Sequence, residues 1–209
     1  MALKEDLEKA LAELRKEKKR KFDQTVDLII NLQKFDVKKT PLNLFLTVPN
    51  KVKDKKIGAF LESQSEIIET IPLSDFKKYK DKSVLKKLVK KFDFFIAQAS
   101  VMPKVASTFG RVLGPAGKMP SPQMGVIMNA DEKTINGLKE KINNSIKLRA
   151  KEASIKLAIG KESMADKDIL ENTMAVYNSL VKVLPRDKEN IKNVELKFTM
   201  TKPQKIYLR

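Results

Sequence analysis

The stretch Thr25-Val26-Asp27-Leu28-Ile29-Ile30-Asn31-Leu32 puts Val26, Leu28, Ile30 and Leu32 on one side of an extended chain, with Thr25, Asp27 and Asn31 on the other. A period of two is that of a strand with one buried and one wet face. The pattern recurs at Leu42, Leu44, Leu46 and Val48, where Pro49 ends it ahead of a basic, turn-like stretch at 50–56. Far along the chain it returns: Ile155, Leu157 and Ile159 oppose Ser154, Lys156 and Ala158, and Val194, Leu196, Phe198 and Met200 oppose Asn193, Glu195, Lys197, Thr199 and Thr201. Two amphipathic helices accompany these strands, one carrying Leu3, Leu7, Leu11 and Leu14, the other running over 166–184 until Pro185 stops it. One-sided strands and amphipathic helices predict an α+β domain, an antiparallel-type sheet with helices on one face. About fifty N-terminal residues are too few to bury a core alone. The domain is therefore expected to be discontinuous, 1–52 with 150–209.

The middle of the chain reads differently. Short apolar runs at 57–61, 67–71 and 92–97 replace the alternation, and helices are expected over 77–91 and 131–143. Runs of this kind separated by helices predict strands covered on both faces, an α/β domain inserted at 56–147. Polar, charged residues at 147–151 are read as the second crossing of the linker. Hinges are expected near 50–56 and 148–152.

Across the 209 residues, 43 Lys and Arg stand against 26 Asp and Glu, a net charge of +17. Charge of this size asks for a polyanionic partner. Basic clusters at 16–21, 51–56 and 77–91 carry much of it. The absence of cysteine and histidine excludes disulfides, thiolate chemistry, the commonest metal ligand and the usual proton shuttle. Acidic residues lie mostly beside lysines at helical spacing, as surface pairs do, so no catalytic, metal or cofactor site is expected. No apolar run is long enough to span a bilayer and no signal-peptide core opens the chain, so a cytoplasmic location is expected.

The glycine-rich stretch from Phe109 to Pro122 contains Gly117-Lys118, but Met119 stands where a phosphate loop needs a Mg-binding hydroxyl and the first glycine is misplaced. Two readings remain for it: a stiff surface loop with Arg111 and Lys118 solvated, or one in which Arg111 and Lys118 make a secondary RNA contact. Strand parity yields a more pointed group. Thr25, Asp27, Ser154, Lys156, Asn193, Thr199 and Thr201 project away from the apolar faces, and in a shared sheet they form one polar wall with Lys21 and Phe22 at its edge. Hydroxyl, amide and carboxylate groups beside an aromatic ring suit ribose hydroxyls, bases and phosphates. The same parity also describes an ordinary solvated sheet face.

These residues carry a resemblance. Leu113-Gly114-Pro115-Ala116-Gly117-Lys118-Met119-Pro120, Lys21-Phe22-Asp23-Gln24-Thr25-Val26, Ile159-Gly160-Lys161-Glu162-Ser163-Met164 and Phe198-Thr199-Met200 follow one another as in archaeal-type large-subunit ribosomal proteins of the L-one family, which the chain resembles along essentially its whole length. The resemblance implies a two-domain protein whose inserted domain has a Rossmann-like three-layer core without a cofactor. It implies binding to large-subunit rRNA at the mobile stalk beside the tRNA exit site, among other ribosomal components, help in releasing deacylated tRNA, and repression of translation through the protein's own mRNA. By motif, RNA-contacting positions carry over to Lys21, Phe22, Thr25, Asp27, Lys156, Gly160, Lys161, Asn193, Thr199 and Met200. Thr201 stands where the family usually has glycine, which puts the local geometry of RNA contact in question. A general nucleic-acid binder and an acid-plus-metal hydrolase are the competing classes; the first would not distinguish a folded RNA from duplex DNA.

Overall fold

The computed structural model describes residues 2–18, 20–37, 39–65, 67–150 and 152–206. Lys19 of the first basic cluster and Lys151 of the expected second hinge lie outside them. In chain order the elements are α1 (Ala2–Lys16), β1 (Thr25–Leu32), β2 (Asn43–Thr47), β3 (Ile57–Phe60), β4 (Glu69–Thr70), a 3-10 segment (Leu73–Lys80), α2 (Lys82–Lys91), β5 (Phe94–Gln98), α3 (Met102–Ala116), β6 (Val126–Ile127), α4 (Glu132–Asn143), β7 (Ser145–Arg149), β8 (Ser154–Lys161), α5 (Asp166–Val181), a 3-10 turn (Asp187–Asn190), β9 (Ile191–Phe198) and β10 (Gln204–Ile206). The chain divides into two compact units, residues 1–53 with 144–209, and residues 54–143.

In the first unit β1 lies at the centre of an antiparallel sheet of order β10-β9-β1-β8. A strand from the start of the chain thus lies between two from its end. Val26, Leu28 and Ile30 are fully buried with Ile155, Ile159, Val194 and Leu196, and α1 and α5 cover that side with Leu7, Leu11, Leu14, Ile169, Val176 and Leu180. Full burial of each such side chain is worth about 1.5–3 kcal/mol. β2 stands apart from this sheet. It pairs with β7, where Phe45 faces Lys147 and the lysine ammonium lies 5.2 Å from the ring centroid. Residues 147–149, expected as linker, are therefore strand: Leu148 is buried in the core, while burial, with Arg149 adding to it, pushes the Lys147 pKa down.

The second unit is built on a parallel sheet of order β4-β3-β5-β6. Phe60, Phe76, Phe95 and Phe109 form its centre, with Phe60 stacked on Phe95 at 5.3 Å and Phe76 edge-on to Phe109 at 5.0 Å. Two expectations are corrected here. The single helix over 77–91 is broken at Asp81, whose carboxylate accepts hydrogen bonds from the Ser83 N–H and hydroxyl at 3.0 Å and caps α2. The expected loop from Phe109 is instead the second half of α3, because Val105, Phe109 and Leu113 recur at helical spacing and are fully buried. The helix ends at Gly117, which adopts φ 68° and ψ 21°, a left-handed cap that glycine reaches without strain.

Candidate nucleic-acid interface

The face of the β10-β9-β1-β8 sheet turned away from α1 and α5 is polar, and its register sets neighbours across strands. Asn31 lies between Asn193 and Ser154, Ile29 between Glu195 and Lys156, and Asp27 between Lys197 and Ala158. Lys205 on β10 continues the second of these rows beside Glu195. The Asn31 amide donates to Asn193 Oδ1 at 2.7 Å and to Glu195 Oε1 at 3.4 Å, so Glu195, only 8% exposed, is held by amides. Burial pushes the Asp27 carboxyl up from the ordinary aspartate range, with the Lys197 ammonium acting against it.

At one end of this face three segments meet: residues 22–25 entering β1, residues 161–163 leaving β8, and residues 199–201 after β9. Gln24 joins them. It is 2% exposed, its amide donates to Glu162 Oε2 at 3.0 Å, its side-chain oxygen accepts from the Met200 N–H at 3.1 Å, and its backbone oxygen accepts from the Glu162 N–H at 2.7 Å. The Thr25 N–H donates to Thr199 Oγ1 at 3.0 Å, and the Thr199 hydroxyl returns a bond to the Thr25 carbonyl at 3.4 Å. Asp23 accepts from the Ser163 N–H at 3.0 Å and the Ser163 hydroxyl at 2.9 Å, and pairs with Lys161 at 3.5 Å. Desolvation opposes ionisation of Asp23, but the Ser163 bonds and the Lys161 charge together hold its carboxyl below the usual range. These polar bonds fix a rim from which two apolar side chains project, Phe22 at 52% exposure and Met200 at 57%.

The structure therefore brings Phe22, Thr25, Lys161, Thr199, Met200 and Thr201 together at the rim, with Asp27, Lys156 and Asn193 on the adjoining face and Lys21 exposed beside Phe22. Gly160 is different. It is buried, and a Cβ there would meet Ile169 Cγ1 at 3.2 Å and Met164 Sδ at 3.3 Å, so its bare backbone serves the packing of α5 on β8. Thr201 is accommodated without strain: among the described non-glycine residues only Lys34 and Asp187 have positive φ. Its hydroxyl accepts from the Phe198 N–H at 2.9 Å, a second bond across the turn that the Thr201 N–H already closes onto the Phe198 carbonyl at 3.2 Å and one that glycine would lack. Arg111 and Lys118 belong to the other unit. Arg111 is exposed on α3, whereas the Lys118 ammonium donates to the carbonyls of Val89 and Phe92 at 2.7 and 2.8 Å and closes the end of α2, a structural use.

Sequence reasoning passed over Gln24, Ser163 and Glu195 as site residues. Parity did point Glu195 outward; a buried glutamine just before a strand leaves no periodic signal. Among the described residues no group of three or more acidic side chains is disposed to hold a metal ion. What the geometry supplies is a rigid polar face with lysines along it and exposed apolar groups at its rim.

The comparisons with known proteins agree in extent with this two-unit fold. The pattern of the Ribosomal protein L1p/L10e family matches residues 14–202. The chain is 37% identical over 196 residues to the large ribosomal subunit protein uL1 of Nanoarchaeum equitans, covering 89% of this chain and 92% of that one. It is 34% identical over 196 residues to uL1 of Methanobrevibacter smithii, covering 88% and 89%. With uL1 of Methanothermococcus thermolithotrophicus identity is 33% over 216 residues, covering 97% and 98%. Matches that run through both units and over nearly the full length of each relative have one meaning: the chain belongs to the ribosomal protein L1p/L10e family.

Proposed function

We propose that this protein is a structural, non-enzymatic constituent of the large ribosomal subunit that binds rRNA at the mobile stalk through the face and rim of its first unit. The observation that carries the reading is the rim itself. Gln24, Thr199 and Ser163 lock three chain segments so that Phe22 and Met200 project beside a face of amides, hydroxyls and lysines. Such a surface matches a folded RNA: lysines attract the backbone in a salt-dependent way, polar groups read 2′-hydroxyls and base edges, and the phenyl ring packs on sugar or base. The 54–143 unit is read as the Rossmann-like three-layer domain of the family, without cofactor, and the crossings at 53/54 and 143/144 as the hinge that lets it follow deacylated tRNA leaving the exit site; the second crossing lies ahead of the expected 148–152, because residues 145–149 pair with β2 in the first unit. Repression through the protein's own mRNA follows if that message displays the same RNA shape.

The test is a competition in which labelled stalk-region rRNA is titrated with protein against unrelated structured RNA and duplex DNA at several salt concentrations. Preference for the stalk RNA should persist as salt rises. Phe22→Ala and Thr199→Ala should each weaken that preferred binding by roughly 1–3 kcal/mol, whereas Lys90→Ala should mainly lower the salt slope. Equal loss on all competitors would remove the rim from the reading.

A further inference from the structure

The second unit holds a cleft of about 840 Å³ between the 3-10 segment, α2 and α3. That volume lies within the range of about 300–1,000 Å³ typical of small-molecule sites. Its floor is apolar, from Phe76, Leu85 and Val112, with the Tyr79 ring braced against Phe109 at 5.7 Å. Three cations line it, Lys77, Lys86 and Arg111, and no acidic side chain does. All three are exposed, and among the described residues none of them is in an ion pair. The acids nearest in sequence are engaged elsewhere, Asp75 with Lys78 at 2.8 Å and Asp81 with Ser83. Ser107 on α3 donates its hydroxyl proton to the Lys104 carbonyl, so its oxygen retains the capacity to accept a hydrogen bond.

We infer that this cleft binds an unpaired nucleotide, the base against the apolar floor and the phosphate on Arg111, Lys86 and Lys77. The site lies wholly within residues 54–143 and is independent of the rRNA face. The charge pattern selects the ligand class. An apolar aromatic floor with an uncompensated cationic rim asks for a flat apolar group and a negative charge a few ångströms apart. One nucleotide carries both in a single covalent unit. In an acidic peptide the apolar and the charged group sit on separate residues, and the charge would not need this floor. The sequence signal of a phosphate loop at Gly117-Lys118 plays no part here, because Gly117 ends a helix and Lys118 holds the end of α2.

The test uses the full-length protein, labelled for residue-resolved amide NMR, titrated with hexauridylate, an abasic hexamer of equal charge, uridine monophosphate and an acidic peptide rich in phenylalanine. Hexauridylate should shift amides at 76–86 and 107–113, the abasic hexamer at least fivefold more weakly. Uridine monophosphate should shift the same amides; equal affinity for monomer and hexamer identifies a free nucleotide as the source, and a much tighter hexamer identifies an RNA strand. Arg111→Glu and Lys86→Glu, both at exposed positions, should each lower affinity at these amides at least tenfold while leaving the spectrum of the other unit intact. Absence of shifts in both segments, equal binding of hexauridylate and its abasic analogue, or response to the peptide alone would overturn the inference.

Discussion

Replacing Gln24 by alanine tests whether the rim is held by the side chain that joins its three segments. The amide makes one bond to a neutral partner, the Met200 N–H, and one to a carboxylate, Glu162. A neutral bond contributes about 1 kcal/mol net and one to a charged group about 1.5–3. Glu162 is only half-buried, so the lower end applies to it. The expected loss is roughly 2–3 kcal/mol, and at about 2–4 °C per kcal/mol for a chain of this size the melting temperature should fall by roughly 5–10 °C. Binding to stalk RNA should weaken by tenfold or more, because the turn carrying Met200 loses its anchor to the strand that follows Phe22. Denaturant titration of Gln24→Ala, Glu162→Ala and the double variant should give a coupling energy of about 1 kcal/mol. A melting temperature within about 2 °C of the parent, with RNA affinity unchanged, would refute the reasoning, since that drop corresponds to less than one hydrogen bond.

Three further outcomes are expected. Burial raises the Asp27 pKa above its ordinary value of 3.8, so the folded chain holds this proton more tightly than the unfolded one; its contribution is favourable below that value and is lost as pH rises through the folded pKa. Asp27→Asn should therefore be more stable than the parent at pH 7, with the difference closing as pH falls toward 4 in urea titrations, and a variant less stable at pH 7 would contradict this. Lys118→Met should cost about 1–3 kcal/mol and speed amide hydrogen exchange through α2 without altering rRNA affinity; unchanged exchange with weakened RNA binding would make Lys118 a contact instead. Thr201→Gly should lower stability by about 1–2 kcal/mol in thermal unfolding, through loss of the bond to the Phe198 N–H and the added freedom of glycine in the unfolded chain. An unchanged midpoint would show that the hydroxyl does not hold the turn.

Period-two alternation in residues 25–32, 154–159 and 194–198 suffices to define strands with one apolar face, because side chains on a pleated strand alternate whatever the rest of the chain does; the alternation expected to continue through Met200 and Thr201 stops at Phe198, where the chain turns and Met200 is exposed instead of buried. It also suffices to turn Thr25, Asp27, Lys156 and Asn193 outward. Charge alone points to a polyanion. Other features depend on what lies opposite in space. Lys147 and Arg149 read as linker because charged residues carry no apolar period, yet their strand exists through pairing with β2 and the Phe45 ring beside Lys147. The run from Phe109 to Ala116 reads as loop from its glycines and prolines, but Val105, Phe109 and Leu113 find an aromatic core to bury against, and tertiary burial outweighs weak local propensity. Gly160 and Lys118 read in sequence only as candidate contacts, whereas the packing of α5 against Gly160 and the bonds of Lys118 to the open carbonyls at the end of α2 show structural uses that no spacing reveals. Gln24 lies furthest from anything legible in one dimension. Its bonds reach Glu162 and Met200, residues 138 and 176 positions away, and only the folded sheet brings such partners within hydrogen-bonding distance.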